Sequence, residues 1–201
     1  MSRWSYKRII KEFSNAEDYD RWYEQNGEIY RSELEFTSEL LGGSRFIEIG
    51  AGTGRFGGTL GAFLLIDVSR EMLEIAAAKG FECVLADAAS LPLRSKSTDA
   101  VLFAFSLSFM PYARALREAL RVSREKIIIV DVDPASEDYV KSLKDFYSSY
   151  EPARILRALR QLSKRYNVRL RRAILTSGTQ EIGIIGILVP LQQKCERKQK
   201  T

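Results

Sequence analysis

Residues 46–54 read Phe46-Ile47-Glu48-Ile49-Gly50-Ala51-Gly52-Thr53-Gly54, a short apolar strand that runs straight into glycines. Glycine at alternate positions permits a tight turn and lets the backbone approach a ligand without a Cβ in the way. In a parallel sheet, a turn of this kind lies at the carboxyl edge of the strands, where ligands bind. The stretch therefore predicts an open α/β sheet with a ligand-binding loop after its first strand.

Strand-like and helix-like segments alternate downstream of this loop. Strands are predicted at residues 45–50, 62–68, 82–86, 99–106 and 126–132, and helices at residues 55–60, 70–79 and 113–122. Ser69 is placed to cap the second of these helices, and Gly80 to close it. The fifth strand is almost purely β-branched, as a strand buried on both faces should be. The alternation implies right-handed crossovers and a parallel sheet covered by helices on both faces.

The two ends of the chain depart from this rhythm. Residues 1–43 are predicted to be a helical lid segment that ends at Gly42-Gly43, and residues 136–166 a helical insertion. Strands at 168–176 and 181–191 follow, joined by a hairpin turn at 177–180. The predicted fold is thus a Rossmann-like, doubly wound α/β domain over residues 1–191. It has a mostly parallel seven-stranded sheet with an antiparallel C-terminal hairpin strand, and residues 192–201 form a basic tail.

The amino-acid composition limits the kinds of catalytic and metal-binding chemistry to be expected. The chain has 201 residues, of which 45% are apolar, enough for one sizeable core. Histidine is absent, which removes the commonest general base and metal ligand, and no metal site is predicted. The two cysteines, Cys83 and Cys195, are far apart and expected to be free thiols. With neither a secretory leader nor a run of about 18 apolar residues, a cytoplasmic protein with no membrane partner is expected.

The glycine spacing separates two classes of nucleotide-binding protein. Position 55 is arginine, so the pattern is G-x-G-x-G and not the dinucleotide fingerprint G-x-G-x-x-G, and no P-loop Lys-Ser/Thr follows. With Glu48 in front, the stretch resembles the first motif of class I S-adenosylmethionine-dependent methyltransferases, and the chain resembles their small "type 11" members. Leu91-Pro92-Leu93 and the Asp67 and Asp87 positions after the next two strands are similar to that family too.

The resemblance implies S-adenosyl-L-methionine as cofactor and a set of binding residues. Asp67 would accept from the two ribose hydroxyls and Asp87 from the adenine amino group. Glu48 would bind the ammonium group of the cofactor or else hold the glycine loop through its backbone N–H groups. The full set is Glu48, Gly50, Ala51, Gly52, Gly54, Asp67, Val68, Met72, Asp87, Ala88 and Ser106. Several have simpler interpretations: Asp67 as a helix-start acid, Asp87 as a solvated loop carboxylate, Val68 and Met72 as core.

The acceptor side carries weaker signals. Tyr19-Asp20-Arg21-Trp22-Tyr23 resembles the aromatic segment near the N-terminus of small-molecule members, so the predicted substrate-binding residues are Tyr19, Trp22, Tyr23 and Tyr30. Aromatic faces also suit a sulfonium cation, although plain amphipathic packing would explain them equally well. No catalytic residue is predicted. If a base is needed, the candidates are Asp131, Asp133 or a tyrosine.

The predicted function is methyl transfer to a small-molecule acceptor, with two alternatives. The Asn/Asp-Pro-Pro-Tyr signature of base and amide methylation is missing, because residues 108–112 read Ser-Phe-Met-Pro-Tyr. An RNA methyltransferase is the first alternative, because basic residues recur at helical spacing and again further on: Arg154, Arg157, Arg160 and Lys164, then Arg169, Arg171 and Arg172. The second alternative is a non-catalytic or dinucleotide-binding Rossmann protein. No oligomeric state is predicted.

Overall fold

A computed structural model describes residues 9–11, 13, 15–177 and 180–191. The predicted basic tail, with Cys195, and the central residues of the predicted hairpin turn, Gly178 and Thr179, lie outside the described residues. Cys83 is a free thiol. No helix in the described ranges is long and apolar enough to cross a membrane.

The sheet has seven strands in the order β3-β2-β1-β4-β5-β7-β6. The strands are β1 (Phe46–Ile49), β2 (Leu64–Asp67), β3 (Cys83–Leu85), β4 (Thr98–Ala104), β5 (Ser123–Val132), β6 (Arg169–Ser177) and β7 (Gln180–Pro190). The first five are parallel, whereas β7 runs antiparallel to β5 and to β6. The predicted Rossmann-like fold with a C-terminal hairpin is therefore confirmed.

The second strand of the C-terminal hairpin is the inner one in the sheet, and the first strand is at the edge. The strand β7 lies between β5 and β6, and its isoleucines 182, 184, 185 and 187 are buried. The strand β6 is at the edge, where Arg171 and Arg172 are exposed and Ile174 is 70% exposed. Burial of the more apolar strand explains this order, because only an inner strand is covered on both faces.

The helices of the described ranges agree with the predicted segments except at their ends. They are α1 (Ala16–Gln25), α2 (Gly27–Leu41), α3 (Gly57–Leu60), α4 (Arg70–Ala78), α5 (Tyr112–Val122), α6 (Glu137–Phe146) and α7 (Ala153–Ser163), with a 3-10 turn at Leu107–Phe109. Ser69 Oγ accepts from Met72 N at 3.3 Å and so caps α4. Gly42 ends α2 in the left-handed conformation. The insertion consists of two helices, α6 and α7, and Pro152 is the N-cap residue of α7.

Helices cover both faces of the sheet. On one face Ile127 and Ile129 of β5 belong to a buried cluster with α5 and α7. Their neighbours Ile128 and Val130 belong to a second cluster with residues of α2 on the other face. The N-terminal helices therefore form part of the core and come close to the carboxyl edge, where the glycine loop begins.

Candidate active site

The glycine loop is folded tightly against the strand that follows it. Ile66 O accepts from Gly50 N at 2.8 Å and from Ala51 N at 3.1 Å. Gly50 has φ +73°, and a Cβ built on it would lie 2.6 Å from Ser106 Cβ. Both the conformation and the close approach require glycine. The loop thereby exposes backbone, and not side chains, to the space beyond the strand ends.

Asp67 is bonded to this loop. Its Oδ2 accepts from Gly52 N and its Oδ1 from Ser69 N, both at 2.8 Å. Burial raises the pKa of Asp67, and these backbone hydrogen bonds oppose the rise. A carboxylate has about four acceptor positions, and the backbone N–H groups of Gly52, Ser69 and Val68 use up to three of them, so at least one is left for a ligand hydroxyl.

A cavity of about 520 Å³ opens over the carboxyl ends of the parallel strands. Gly50 and Gly52 lie at its floor, and Val132 at the end of β5 lies on another side. The N-terminal helix α1 and the inserted helix α6 supply further walls with Tyr19 and Tyr139. Its volume is in the range of small-ligand sites.

Most of the predicted binding residues meet in this cavity. The predicted cofactor residues that line it are Gly50, Gly52, Asp67, Val68, Met72, Ala88 and Ser106. Among the predicted substrate residues, Tyr19, Trp22 and Tyr23 line it as well. A Cβ on Gly52 would lie 4.0 Å from Tyr19 Cε1, so the lid segment reaches the glycine loop. The structure thus brings the two predicted groups together in one space.

Five predicted residues are not among those that line the cavity. Glu48 is buried, and its Oε2 accepts from Gly57 N at 2.7 Å, so its geometry is that of a residue that holds the loop. A Cβ on Gly54 would lie 2.8 Å from Leu65 and Phe81 side-chain atoms, so close packing accounts for this glycine. Ala51 packs against Leu65. Their contact with the cofactor stays a prediction.

The other two are Asp87 and Tyr30. Asp87 Oδ1 accepts from Ala89 N at 2.7 Å and so shapes the loop that carries Ala88 into the cavity. The hydroxyl of Tyr30 donates to Arg55 O and lies 3.1 Å from Thr59 Oγ1. For these two residues as well, ligand contact stays a prediction.

Known proteins resemble this chain in sequence and fold. Residues 47–130 match the methyltransferase-domain family of type 11. A Thermotoga maritima structure described as an S-adenosylmethionine-dependent methyltransferase, possible histamine N-methyltransferase, is 25% identical. It matches with a TM-score of 0.76 over 91% of this chain and 98% of its own.

Over residues 47–130 the chain is similar to the methyltransferase-domain family, and its fold is similar to that of a solved S-adenosylmethionine-dependent methyltransferase.

Three further proteins show how far the resemblance extends. The magnesium protoporphyrin IX methyltransferase of Synechocystis, solved with its methyl donor bound, is 14% identical with a TM-score of 0.62 over 94% of this chain and 99% of its own, and so shares the fold. An uncharacterized protein of Methanocaldococcus jannaschii is 36% identical over 121 residues, which is 59% of this chain and 59% of its own length. A second from the same organism is 34% identical over 129 residues, 62% of this chain. The chain thus spans 59% and 51% of the lengths of these two curated relatives.

The cavity has features that fit S-adenosylmethionine, the methyl donor of the proteins that this chain resembles. Asp67 presents acceptor positions for ribose hydroxyls, and the floor at Gly50 is one that a Cβ would fill. The side chains of Val68, Met72 and Ala88 supply the apolar surfaces that an adenine ring would contact. Donor set and shape both fit a nucleoside with an amino-acid end.

A polar cluster that the sequence did not reveal ties α1 to the glycine loop. Asp20 Oδ1 accepts from Thr53 Oγ1 at 2.5 Å and from Arg55 Nε at 2.7 Å, and Asp20 Oδ2 pairs with Lys79. Burial would raise the pKa of Asp20, but the hydrogen bonds from Arg55, Lys79 and Thr53 lower it below its usual value. The arginine that breaks the dinucleotide fingerprint is therefore the anchor of the lid.

Two buried acids that line the cavity were missed or left open. Glu33 of α2 is 4% exposed, and its Oε2 has no hydrogen-bond partner among the described residues. Burial raises its pKa to about 8. Asp131, at the end of β5, accepts from Ser108 Oγ at 3.0 Å and from Val132 N at 2.8 Å. Burial raises its pKa to about 7, and these bonds oppose the rise. An acid on the apolar face of α2, between Ile29 and Phe36, was the signal available for Glu33.

The basic residues proposed for RNA binding are largely paired. Arg154 is buried, where it donates to Ser108 O at 2.6 Å and pairs with Glu151 at 2.9 Å. Arg157 pairs with Glu151 at 2.7 Å, and Arg172 with Asp133 at 2.6 Å. Asp133, a candidate base, is therefore engaged in an ion pair and is not among the residues that line the cavity. Arg154 is therefore not part of an exposed basic face, whereas Arg157, Arg160 and Lys164 are exposed.

Proposed function

We propose that this protein transfers a methyl group from S-adenosylmethionine to a small-molecule acceptor bound inside the cavity. The observation that carries the proposal is that the glycine loop, Asp67 and the aromatic lid residues line one partly closed cavity. Donor and acceptor would therefore meet away from bulk water. Methyl transfer from a sulfonium needs mainly alignment and desolvation, which such a space provides.

In this proposal, one part of the cavity binds the methyl donor and the other binds the acceptor. Asp67 would hold the ribose, the backbone at Gly50 and Gly52 the amino-acid end, and Met72 the adenine, while Asp87 would accept from the adenine amino group. The bound donor supplies an electrophilic methyl group. The acceptor would lie against Tyr19, Tyr23 and other rings of residues 16–43 and 136–166, which act as the lid of a single domain.

The lining of the cavity supports a small acceptor over RNA. None of the described residues that line it is lysine or arginine, whereas four are acidic: Asp18, Glu33, Asp67 and Asp131. An RNA-binding groove would present cations to phosphates. The Thermotoga maritima neighbour, described as a possible histamine N-methyltransferase, offers a precedent for a small acceptor. The expected cytoplasmic location stays a prediction.

Calorimetric titration with S-adenosylhomocysteine tests the donor half of the proposal. We expect one binding site per chain, with NADH showing no heat under the same conditions. Incubation with S-adenosylmethionine and a library of small amines, phenols, thiols and carboxylates, read by mass spectrometry for a methyl-group mass gain, tests the acceptor half. Binding of NADH in place of S-adenosylhomocysteine would contradict the proposal and favour the dinucleotide alternative.

A further inference from the structure

We infer that the acceptor is a small amine that binds as an ammonium ion and that the carboxyl group of Glu33 is its counter-ion. This inference rests on the proposed methyltransferase function and adds the chemical class of the substrate. It is carried by a buried, unpartnered carboxyl oxygen in the wall of the cavity and by the aromatic and acidic surroundings of that oxygen.

Glu33 is placed where a structural residue would be apolar. It lies in α2 among buried positions, Ile29, Phe36 and Thr37, and is 4% exposed. Its Oε2 has no hydrogen-bond partner within the described part of the chain, yet the residue lines the cavity. A buried polar atom without a partner destabilises the folded protein. A ligand that donates to this oxygen would remove that destabilisation, and an ammonium group donates three N–H bonds.

The surroundings of Glu33 favour a cation. Tyr19 and Tyr23 of α1 and Tyr139 of α6 are the titratable groups close enough to interact with it electrostatically. These residues also line the cavity, and an aromatic ring stabilises a positive charge beside its face. A carboxylate acceptor would instead meet the acids Glu33 and Asp131 with no lysine or arginine among the described lining residues.

Asp131 does not offer the same site. Both of its carboxyl oxygens already accept a hydrogen bond, Oδ2 from Ser108 Oγ and Oδ1 from Val132 N. The donors come from the same chain and hold the carboxyl in place. Glu33 is therefore the acid that gains most from an added donor, whereas Asp131 adds negative charge elsewhere in the wall.

Binding of an ammonium ion to Glu33 has a proton balance that calorimetry can measure. Burial raises the pKa of Glu33 to about 8, so at pH 7 the free carboxyl group is mostly protonated. The ammonium ion requires the ionised form, so on binding the carboxyl O–H bond breaks and its proton passes to the buffer, while the amine keeps all three of its protons. For methyl transfer one N–H bond of the ammonium then breaks and its proton passes to the Glu33 carboxylate. The freed nitrogen lone pair forms the N–CH3 bond as the S–CH3 bond breaks and S-adenosylhomocysteine leaves. Close to one proton is released per amine bound.

The experiment uses the full chain saturated with S-adenosylhomocysteine. Benzylamine, 2-phenylethylamine and 3-phenylpropylamine are titrated at pH 7 in buffers of different ionisation enthalpy, each beside its matched alcohol and carboxylate. We expect at least one amine to bind at least tenfold more tightly than its matched alcohol and carboxylate, with close to one proton released. The affinity should rise about tenfold per pH unit up to about pH 8 and level off above.

Variants identify the counter-ion. E33Q should weaken amine binding at least tenfold, abolish proton release and leave alcohol binding and S-adenosylhomocysteine affinity unchanged. E35Q, an exposed position on the same helix, should behave as the wild type. Retained affinity for S-adenosylhomocysteine shows that E33Q is folded, and the pH profile of the wild type tests the inference without any variant.

The outcomes separate the two proposals. A protein that binds no S-adenosylhomocysteine contradicts the proposed function and this inference with it. A protein that binds S-adenosylhomocysteine but prefers no amine over its alcohol and carboxylate, or whose E33Q variant binds amines as the wild type does, contradicts this inference alone.

Discussion

Asp67 and Glu33 both line the cavity, and their carboxyl groups differ in the backbone hydrogen bonds that they accept. Asp67 accepts one N–H on each oxygen, from Gly52 and from Ser69. Glu33 Oε2 has no such donor. Burial raises the pKa of both groups, but only Asp67 has hydrogen bonds that oppose the rise. We therefore expect Asp67 to be held in place to accept from neutral hydroxyl groups. We expect Glu33 to bind a charged hydrogen-bond donor.

Replacement of Asp67 tests the ribose contact. Asp67→Ala should weaken S-adenosylhomocysteine binding by about 1–3 kcal/mol, the scale for losing hydrogen bonds to a charged group. It also frees Gly52 N and Ser69 N, so a modest fall in the unfolding midpoint is expected. Asp99→Ala removes a surface ion pair with Arg124 at the start of β4 and should leave affinity unchanged. Equal affinities for the two variants in calorimetry would leave Asp67 a helix-start residue.

Replacement of Glu33 changes how stability depends on pH. The folded pKa of about 8 lies above the ordinary value of 4.5, so the stability that the neutral acid contributes is present below about pH 4.5 and is lost as pH rises through 8. In the absence of ligand, Glu33→Gln should be as stable as the wild type near pH 4.5 and more stable at pH 9 by a few kcal/mol, since one pKa unit is about 1.4 kcal/mol.

Urea unfolding at several pH values measures this difference. Asp131 titrates in the same range, but it is present in both proteins, so its effect cancels in the comparison. Glu35→Gln changes an exposed acid on the same helix and should follow the wild-type curve. A constant difference between wild type and Glu33→Gln across the pH range would show that Glu33 does not titrate as described.

At the scale of elements, α1 is held by a small number of polar contacts. Asp20 connects it to Thr53 and Arg55 of the glycine loop and to Lys79 just after α4. Tyr19, the preceding residue, reaches over Gly52. The pairing of Asp20 therefore sets both the position of the lid and the shape of the cavity over the loop.

Removal of Asp20 should loosen the lid. Asp20→Ala removes the carboxylate that accepts from Thr53, the partly buried Arg55 and the exposed Lys79, at a cost of about 1.5–3 kcal/mol for hydrogen bonds to a charged group. Faster hydrogen–deuterium exchange in α1, with the exchange of α5 unchanged, is the expected measurement. Glu24→Ala is the matched control, because Glu24 contacts the same Arg55 at 3.2 Å from an exposed position. Equal protection of α1 in both variants would show that Asp20 is dispensable for the lid.

At the scale of the whole molecule, the formal net charge is +5. Several of the arginines that contribute to it are buried or form ion pairs. Arg154 is buried, Arg157 and Arg172 are paired, and Arg171 pairs with Glu39 and lies over the ring of Phe36. Net charge alone is a weak argument for an RNA partner when the cations do not form one exposed patch.

A salt series decides between the two acceptor classes. Binding of total cellular RNA should be weak, with little loss between about 50 and 200 mM salt, because few phosphates can be neutralised at once. Replacement of the exposed Arg157 and Arg160 by alanine should change it little. Filter binding provides the measurement. Tight retention that falls steeply with salt and disappears in this double variant would favour an RNA methyltransferase.

The sequence by itself determined the features that depend on near neighbours in the chain. The alternation of strands and helices, the glycine loop at Gly50 and the cap at Ser69 follow from side-chain period and turn chemistry, and all are present. The resemblance to methyltransferases followed from the same stretch, because the loop and Asp67 lie at the ends of two adjacent strands. Helix ends moved by a few residues, since end positions depend on contacts as well as propensity.

Only the tertiary structure decided which side chains share the cavity. Glu33 and Asp131 are far apart in sequence and meet because α2 packs across the sheet near the end of β5. Tertiary packing also brings Glu48 to Gly57 N and buries Arg154 against Ser108 O. It places β7 between β5 and β6. Burial and the pKa of a carboxyl group depend on what covers it from distant parts of the chain, and no local pattern carries that information.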